Sequence, residues 1–175
     1  MSSLRRLYVN ELKYLYSAEM QLVNALPKLA KASSSTQLRQ AFEEHLRQTA
    51  EQVSRLEEIF DELDEKPKGK KCLGMQGLIK EGANILREDY TGDLMDAAII
   101  GAAQRAEHYE MAGYGAVKAM AQLLGQAEHV SLLEATLNEE KQTDRYLGRL
   151  AEAANTRTRQ SSKSPIEPYQ SNRAA

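Results

Sequence analysis

The amino-acid sequence predicts an all-α protein, a bundle of four long helices with one long crossover that carries a short helix of its own. Three observations lead there. Apolar residues recur at spacings of three and four over four stretches of roughly 30 residues, which is the period of an amphipathic helix and not of a strand. Composition agrees: Ala, Leu, Glu, Gln, Lys and Arg are abundant, while the 175 residues include no Trp, two Phe and four Pro. The link between the second and third long stretches is about 27 residues, against about 2 to 8 for links in an up-down bundle.

The first helix is expected from Ser3 to Ala32, with the inward stripe Leu4, Tyr8, Glu11, Leu15, Glu19, Leu22, Leu26, Leu29. The run Ser33 to Thr36 ends it and offers a side-chain cap to the next helix. Pro27 lies inside, where the missing N–H and the ring's clash with the preceding turn should bend the helix near Asn24. The second helix is expected from Thr36 to Asp64, along Leu38, Phe42, His45, Thr49, Gln52, Leu56, Phe60 and Leu63, and should stop at the turn-forming run Lys66 to Gly69.

Cys72 to Tyr90 keeps an apolar spacing but is broken by Gly74, Gly77 and Gly82, so it reads as a short helix within a connection. The third long helix should start after Gly92 and run to Leu124, where Gly125 ends it. Its stripe is Ile99, Ala103, Ala106, Glu107, Glu110, Tyr114, Val117, Met120, Leu124. The fourth, Gln126 to Ala154, carries Val130, Leu133, Leu137, Glu140, Asp144, Leu147 and Ala151. Residues 1–155 thus read as one domain. Residues 156–175, polar with Pro165 and Pro168 and without a period, read as a flexible tail.

Topology follows from the long link. A short loop would set the third helix antiparallel beside the second, whereas a connection of this length can cross the bundle and let the two run parallel. Bundles with one such crossover are the ferritin-like arrangement.

Charge narrows the partners. Lys and Arg number 23 against 25 Asp and Glu, a formal net charge of −2, which argues against nucleic acid or an anionic membrane as partner. The cluster Lys66, Lys68, Lys70 and Lys71 is short and without interleaved aromatics, and a solvated loop explains it. No stretch approaches the roughly 20 apolar residues of a membrane span, and Met1 to Leu7 lacks a hydrophobic signal core, so a cytoplasmic protein is expected. The single cysteine, Cys72, reads as a spare thiol in the connection.

Six carboxylates and a histidine stand on the four stripes where leucines belong: Glu11, Glu19, His45, Glu107, Glu110, Glu140 and Asp144. An ionised carboxylate in an apolar interior is strongly disfavoured unless it is paired or binds a metal. Heights can be counted from the hairpin turns at about 1.5 Å per residue. Glu110 and Glu140 lie equally far from Gly125, Glu107 pairs by height with Asp144, and Glu19 falls level with Thr49, between His45 and Gln52. The polar groups therefore share one level, midway along the helices. Glu11 lies two turns away and reads as reaching solvent or an arginine. His108 and His129 lie off the stripes and are expected to be exposed.

Carboxylate oxygens with one imidazole suit iron, manganese or zinc, and bridging carboxylates can hold two ions. Tyr16, Tyr109, Tyr114 and Tyr146 are candidates to orient the acids, packing at helix seams being the alternative. A core histidine with ordinary partners is the alternative for His45.

The runs Leu15-Tyr16-Ser17-Ala18-Glu19-Met20-Gln21-Leu22 and Ala25-Leu26-Pro27-Lys28-Leu29-Ala30 resemble the first helix of the bacterial YciE/YciF-type ferritin-like proteins. So do Phe42-Glu43-Glu44-His45-Leu46, Ala106-Glu107-His108-Tyr109-Glu110 and Glu139-Glu140-Lys141-Gln142-Thr143-Asp144, and the likeness spans residues 4–154. The resemblance implies a homodimeric bundle similar to the rubrerythrin diiron domain and associated with stress responses. It implies Glu19 as the ligand of the first helix, Glu107 and Glu110 as the pair of the third, and Glu140 as the acid of the fourth. One departure stands out: diiron bundles usually carry Glu-x-x-His on two helices, and this chain has Thr143 three residues after Glu140 and Gln52 three after Thr49.

Two readings of function follow. One is a non-haem, metal-dependent oxidoreductase or iron-handling protein acting on peroxide or oxygen, with iron, as a di-iron site or a single ion, as cofactor. The other is a non-catalytic dimeric bundle with a degenerate site that acts through partner binding. Leu7 and Leu12, on a second face of the first helix, add to the expectation of a homodimer.

Overall fold

Helix ends follow local chemistry. In the computed structural model, which describes residues 3–161, α1 (Ser3–Ala32) and α2 (Thr36–Glu62) meet at a tight turn where the Ser35 hydroxyl accepts the Leu38 N–H and caps α2. α1 continues unbroken through Pro27, whose ring lies on the exposed side. The C-terminus of α2 closes with Asp64 in left-handed backbone (φ 54°) and the Glu65 N–H turned back to the Phe60 carbonyl at 3.0 Å.

The short helix α3 (Leu73–Ile85) starts at Cys72, whose Sγ accepts the Met75 N–H at 3.4 Å. Its thiol is buried and lies 3.0 Å from the Tyr109 hydroxyl, so Cys72 is a capping and packing residue and not a spare thiol. α4 (Gly92–Leu123) ends at Gly125 (φ 71°), where the Gln126 N–H reaches the Ala121 carbonyl at 3.0 Å. α5 (Ala127–Ser161) runs past the expected end at Ala154. Arg157 pairs with Asp93 at 2.7 Å, and the Thr156 and Thr158 hydroxyls turn back onto carbonyls of their own helix, so this polar stretch is helical without an apolar period. Residues 156–161 of the expected tail are therefore helix, and 162–175 lie outside the described residues.

Pairwise contacts fix the topology. The hairpins α1/α2 and α4/α5 pack side by side, α1 against α4 and α2 against α5, giving a four-helix bundle. Asp96, near the start of α4, accepts the Ser34 and Ser35 N–H groups at 2.7 and 2.8 Å, so α4 begins where α1 ends. Arg5 donates to the Leu63 carbonyl, and His129 meets Glu62, so the starts of α1 and α5 sit with the end of α2. α2 and α4 therefore run parallel, and residues 63–91 cross the bundle with α3 laid on α1 and α4. The Ser17 hydroxyl accepts the Cys72 N–H and Gln21 donates to the Cys72 carbonyl, which fastens the crossover to α1.

The interior is divided. One apolar cluster gathers Tyr8, Leu12, Leu56, Phe60, Val117 and Leu133; the other gathers Leu22, Leu26, Phe42, Met75, Ile99 and Leu147. Between them lies a layer of buried polar side chains. Leu12 is fully enclosed in the first cluster, whereas Leu7 stays about half exposed.

Candidate metal centre

Each of the four long helices contributes to the polar layer from its inward stripe. Glu19 comes from α1, His45, Thr49 and Gln52 from α2, Glu107 and Glu110 from α4, and Glu140 from α5, all at most 2 % exposed. Because α1/α2 and α4/α5 are antiparallel hairpins with their turns at opposite ends, residues midway along each helix meet at one height. Gly113 permits the close approach of α1 to α4 beside this level, since a Cβ there would lie 2.7 Å from a methyl of Leu15.

His45, Glu107, Glu110 and Glu140 each present one ligand atom such that all four lie within 4.8 Å of one another. The His45 Nε2 stands 3.0 Å from a Glu107 oxygen, in ion-pair range but without hydrogen-bond geometry. Gln52 donates to Glu140 Oε1 at 2.5 Å and also reaches Glu139, which Arg55 grips through both terminal nitrogens at 2.6 and 2.7 Å. On the far side the Tyr114 hydroxyl donates to Glu19 Oε1 at 2.5 Å.

With the carboxylates ionised, several buried atoms of this layer have no hydrogen-bond partner. They are Glu19 Oε2, both His45 nitrogens, Gln52 Oε1, Glu107 Oε2, both Glu110 oxygens and Glu140 Oε2. Buried polar atoms are normally satisfied, and orphans clustered at one point call for a ligand or protons. Without a cation the protons come first. Burial, and then the Glu140 charge, push Glu19 up to about 8; burial pushes Glu107 up to about 7. Glu110 and Glu140 lie well above the usual carboxylate range, again mainly through burial, with the neighbouring acids adding to it. Glu107 faces Glu140 and Glu19 faces Glu110, so that a protonated member of each pair can donate to the other.

A transition-metal ion satisfies the same atoms differently. Three carboxylates and one imidazole, with Glu19 adjacent, form a donor set that suits iron, manganese or zinc. The imidazole comes from His45 on α2, not from a Glu-x-x-His on the same turn as a carboxylate.

Other residues singled out in the sequence fall elsewhere. Asp144 is only partly buried; it accepts from Gln104 at 2.9 Å and lies 3.3 Å from the exposed His108, and the structure does not bring it into the four-residue group. Its stripe position points toward α4 at the rim of the seam. His129 was expected to be exposed and is instead buried, its Nδ1 3.1 Å from the Tyr8 hydroxyl and its Nε2 2.9 Å from Glu62, because three helix ends crowd around the first turn of α5. Among the tyrosines, Tyr114 touches the site, Tyr16 donates to Glu57, Tyr109 meets Cys72 and Tyr146 lies under Arg149.

The conserved description of one protein family, "Domain of unknown function (DUF892)", matches residues 3–160. This chain belongs to that family. Within it, the chain is 41% identical over 152 residues to Protein YciF of Escherichia coli K12, covering 86% of this chain and 92% of the relative. The crystal structure of that E. coli stress protein matches with a TM-score of 0.85 at 40% identity, covering 89% of this chain and 99% of the other. YcfI, a candidate structural protein from Rhodopseudomonas palustris, matches with a TM-score of 0.81 at 37% identity over 85% and 94% of the two chains. These neighbours agree with the all-α bundle. None of the helices among the described residues is long and apolar enough to cross a membrane.

Proposed function

We propose that this DUF892 protein holds one or two transition-metal ions, iron first among them and manganese or zinc as alternatives, between His45, Glu107, Glu110 and Glu140, with Glu19 beside them. The observation that carries this reading is the convergence of four ligand atoms within 4.8 Å in a sealed layer whose carboxylate oxygens otherwise lack partners. Bound iron would supply redox chemistry toward oxygen or peroxide, making the protein a non-haem oxidoreductase, or would be the cargo of an iron-handling protein.

Tyr114 holds one oxygen of Glu19, and Gln52 holds one oxygen of Glu140 and leaves the other free. The carboxyl protons must leave as a cation enters, and the two apolar clusters keep water from competing. The E. coli relative is a stress protein, and the likeness supports a stress-linked role here. A cytoplasmic homodimer, with the exposed Leu7 on its contact face, completes the proposal.

The test is reconstitution with ferrous iron under anaerobic conditions, followed by desalting and elemental analysis. One or two ions per chain are expected, with a clear fall for Glu110→Ala and Glu140→Ala. No retained metal, and no difference between those variants and the unmodified protein, would remove the reading.

The second reading, a non-catalytic bundle acting through a partner, is favoured by one feature. Gln52 occupies a site-facing position with an amide that satisfies Glu140, and proton sharing among the acids would let the layer persist without metal. It predicts the same fold and no stoichiometric ion.

A further inference from the structure

A narrow pocket opens between α1, α3 and α4, on the side of the bundle that the crossover covers. Leu22 and Leu29 line it from α1, Ile79 from α3, Leu86 from just past the end of α3, and Ala103 and Ala106 from α4. Its volume is about 60 Å³, where one water needs on the order of 10–15 Å³, so it has room for a molecule of a few atoms. Two of its lining residues are charged. Lys28 is exposed at the mouth, and Glu107 stands at the metal-centre end with its Oε2 unpartnered. Glu107 is the only member of the acid group that lines the pocket.

The lining discriminates by polarity. Water or hydrogen peroxide entering a pocket walled by leucine, isoleucine and alanine gives up hydrogen bonds and regains none along that wall, the Glu107 Oε2 behind it being buried. Apolar cavities of this kind stay dry and take up apolar guests. A diatomic apolar molecule loses nothing on entry.

We infer that this pocket is the binding and entry site for a small apolar molecule of the size of dioxygen, which it brings to the Glu107 side of the acid cluster. The inference rests on the metal-centre reading for its purpose but not for its test. It assigns the crossover a role beyond spanning the bundle: Ile79 of α3 and Leu86 after it form the outer wall of the pocket.

Dioxygen itself is the probe, because it is paramagnetic and speeds the relaxation of nearby methyl protons. The full-length, metal-free protein is measured by NMR with and without pressurised oxygen. Methyls of Ala103 and Ala106 should show relaxation enhancement several-fold above that of Leu56 and Leu133, which are likewise buried but lie in the opposite apolar cluster. Ala103→Leu should abolish the excess by filling the passage. Ala83→Leu, at the half-buried outer wall, should reduce it with less burden on the core. Both variants should retain the ferrous stoichiometry of the unmodified protein, which separates loss of the pocket from loss of the metal centre. Enhancement no greater than at Leu56 and Leu133, or ordered water detected beside the Ala103 and Ala106 methyls, would overturn the inference even if the protein binds iron.

Discussion

Raising the pH of the metal-free protein from 5 to 8 should destabilise it, and the sign follows from the buried acids. In the unfolded chain Glu19 and Glu107 are ordinary carboxyls, with pKa values near 4.5; in the fold they are held to about 8 and about 7, chiefly by burial. Between those limits the folded state binds more protons than the unfolded state, so unfolding free energy falls as pH rises. The stability associated with these groups is complete below about 4.5 and is lost as pH passes through about 7 and then about 8. Each pKa unit corresponds to about 1.4 kcal/mol, so the climb from pH 5 to about 8 for Glu19 and to about 7 for Glu107 should together cost on the order of 7 kcal/mol. Urea unfolding with a chelator present, at closely spaced pH values, measures this. The control is the triple variant Glu107→Met, Glu110→Met, Glu140→Met, whose profile should lose the step of Glu107 and keep that of Glu19, which its own burial holds up. Saturating metal should flatten the unmodified protein's profile too, because the ion takes the place of the protons. A midpoint that holds constant or rises from pH 5 to 8 would refute the argument that these carboxyls are sealed from water.

Three further outcomes are expected. The same triple methionine variant should unfold later than the unmodified metal-free protein at pH 8, by about 1–4 kcal/mol, since removing unpaired buried charge commonly stabilises a fold; calorimetry reads this directly. Tyr114→Phe removes the donor to Glu19 Oε1, so the Glu19 pKa should climb further and the upper step of the pH profile should move to higher pH. Asp96→Ala leaves the Ser34 and Ser35 N–H groups unpaired at the α1–α2 turn and should cost about 2–4 kcal/mol in urea unfolding, with no change in metal stoichiometry.

Much of this was legible in the chain because helical periodicity and burial are nearly the same information. Glu19, Glu107, Glu110 and Glu140 stood out by occupying stripe positions flanked by apolar residues, and counting from the two hairpin turns placed them at one height. The crossover was legible from its length alone. What escaped depends on contacts between distant segments. Asp96 braces a turn 60 residues away in sequence, and nothing local marks it apart from its place one turn before Ile99. His129 lies in the first turn of α5, where burial is set by Tyr8 and by the end of α2 and not by the helix's own stripe. Asp144 shows the converse: a stripe position one turn from Glu140 is already at the rim, where Gln104 and His108 engage it. The Arg55–Glu139–Gln52 chain that steadies Glu140 involves two residues beside the stripes, visible only once α2 and α5 are side by side.

The most direct test of the metal-centre account is anomalous X-ray diffraction from crystals of the full-length protein loaded anaerobically with ferrous iron, with data collected on both sides of the iron absorption edge. The account predicts one or two anomalous peaks enclosed by the His45, Glu107, Glu110 and Glu140 side chains, next to Glu19. Iron found only at surface carboxylates, or an acid cluster without a peak in crystals that contain iron, would contradict it.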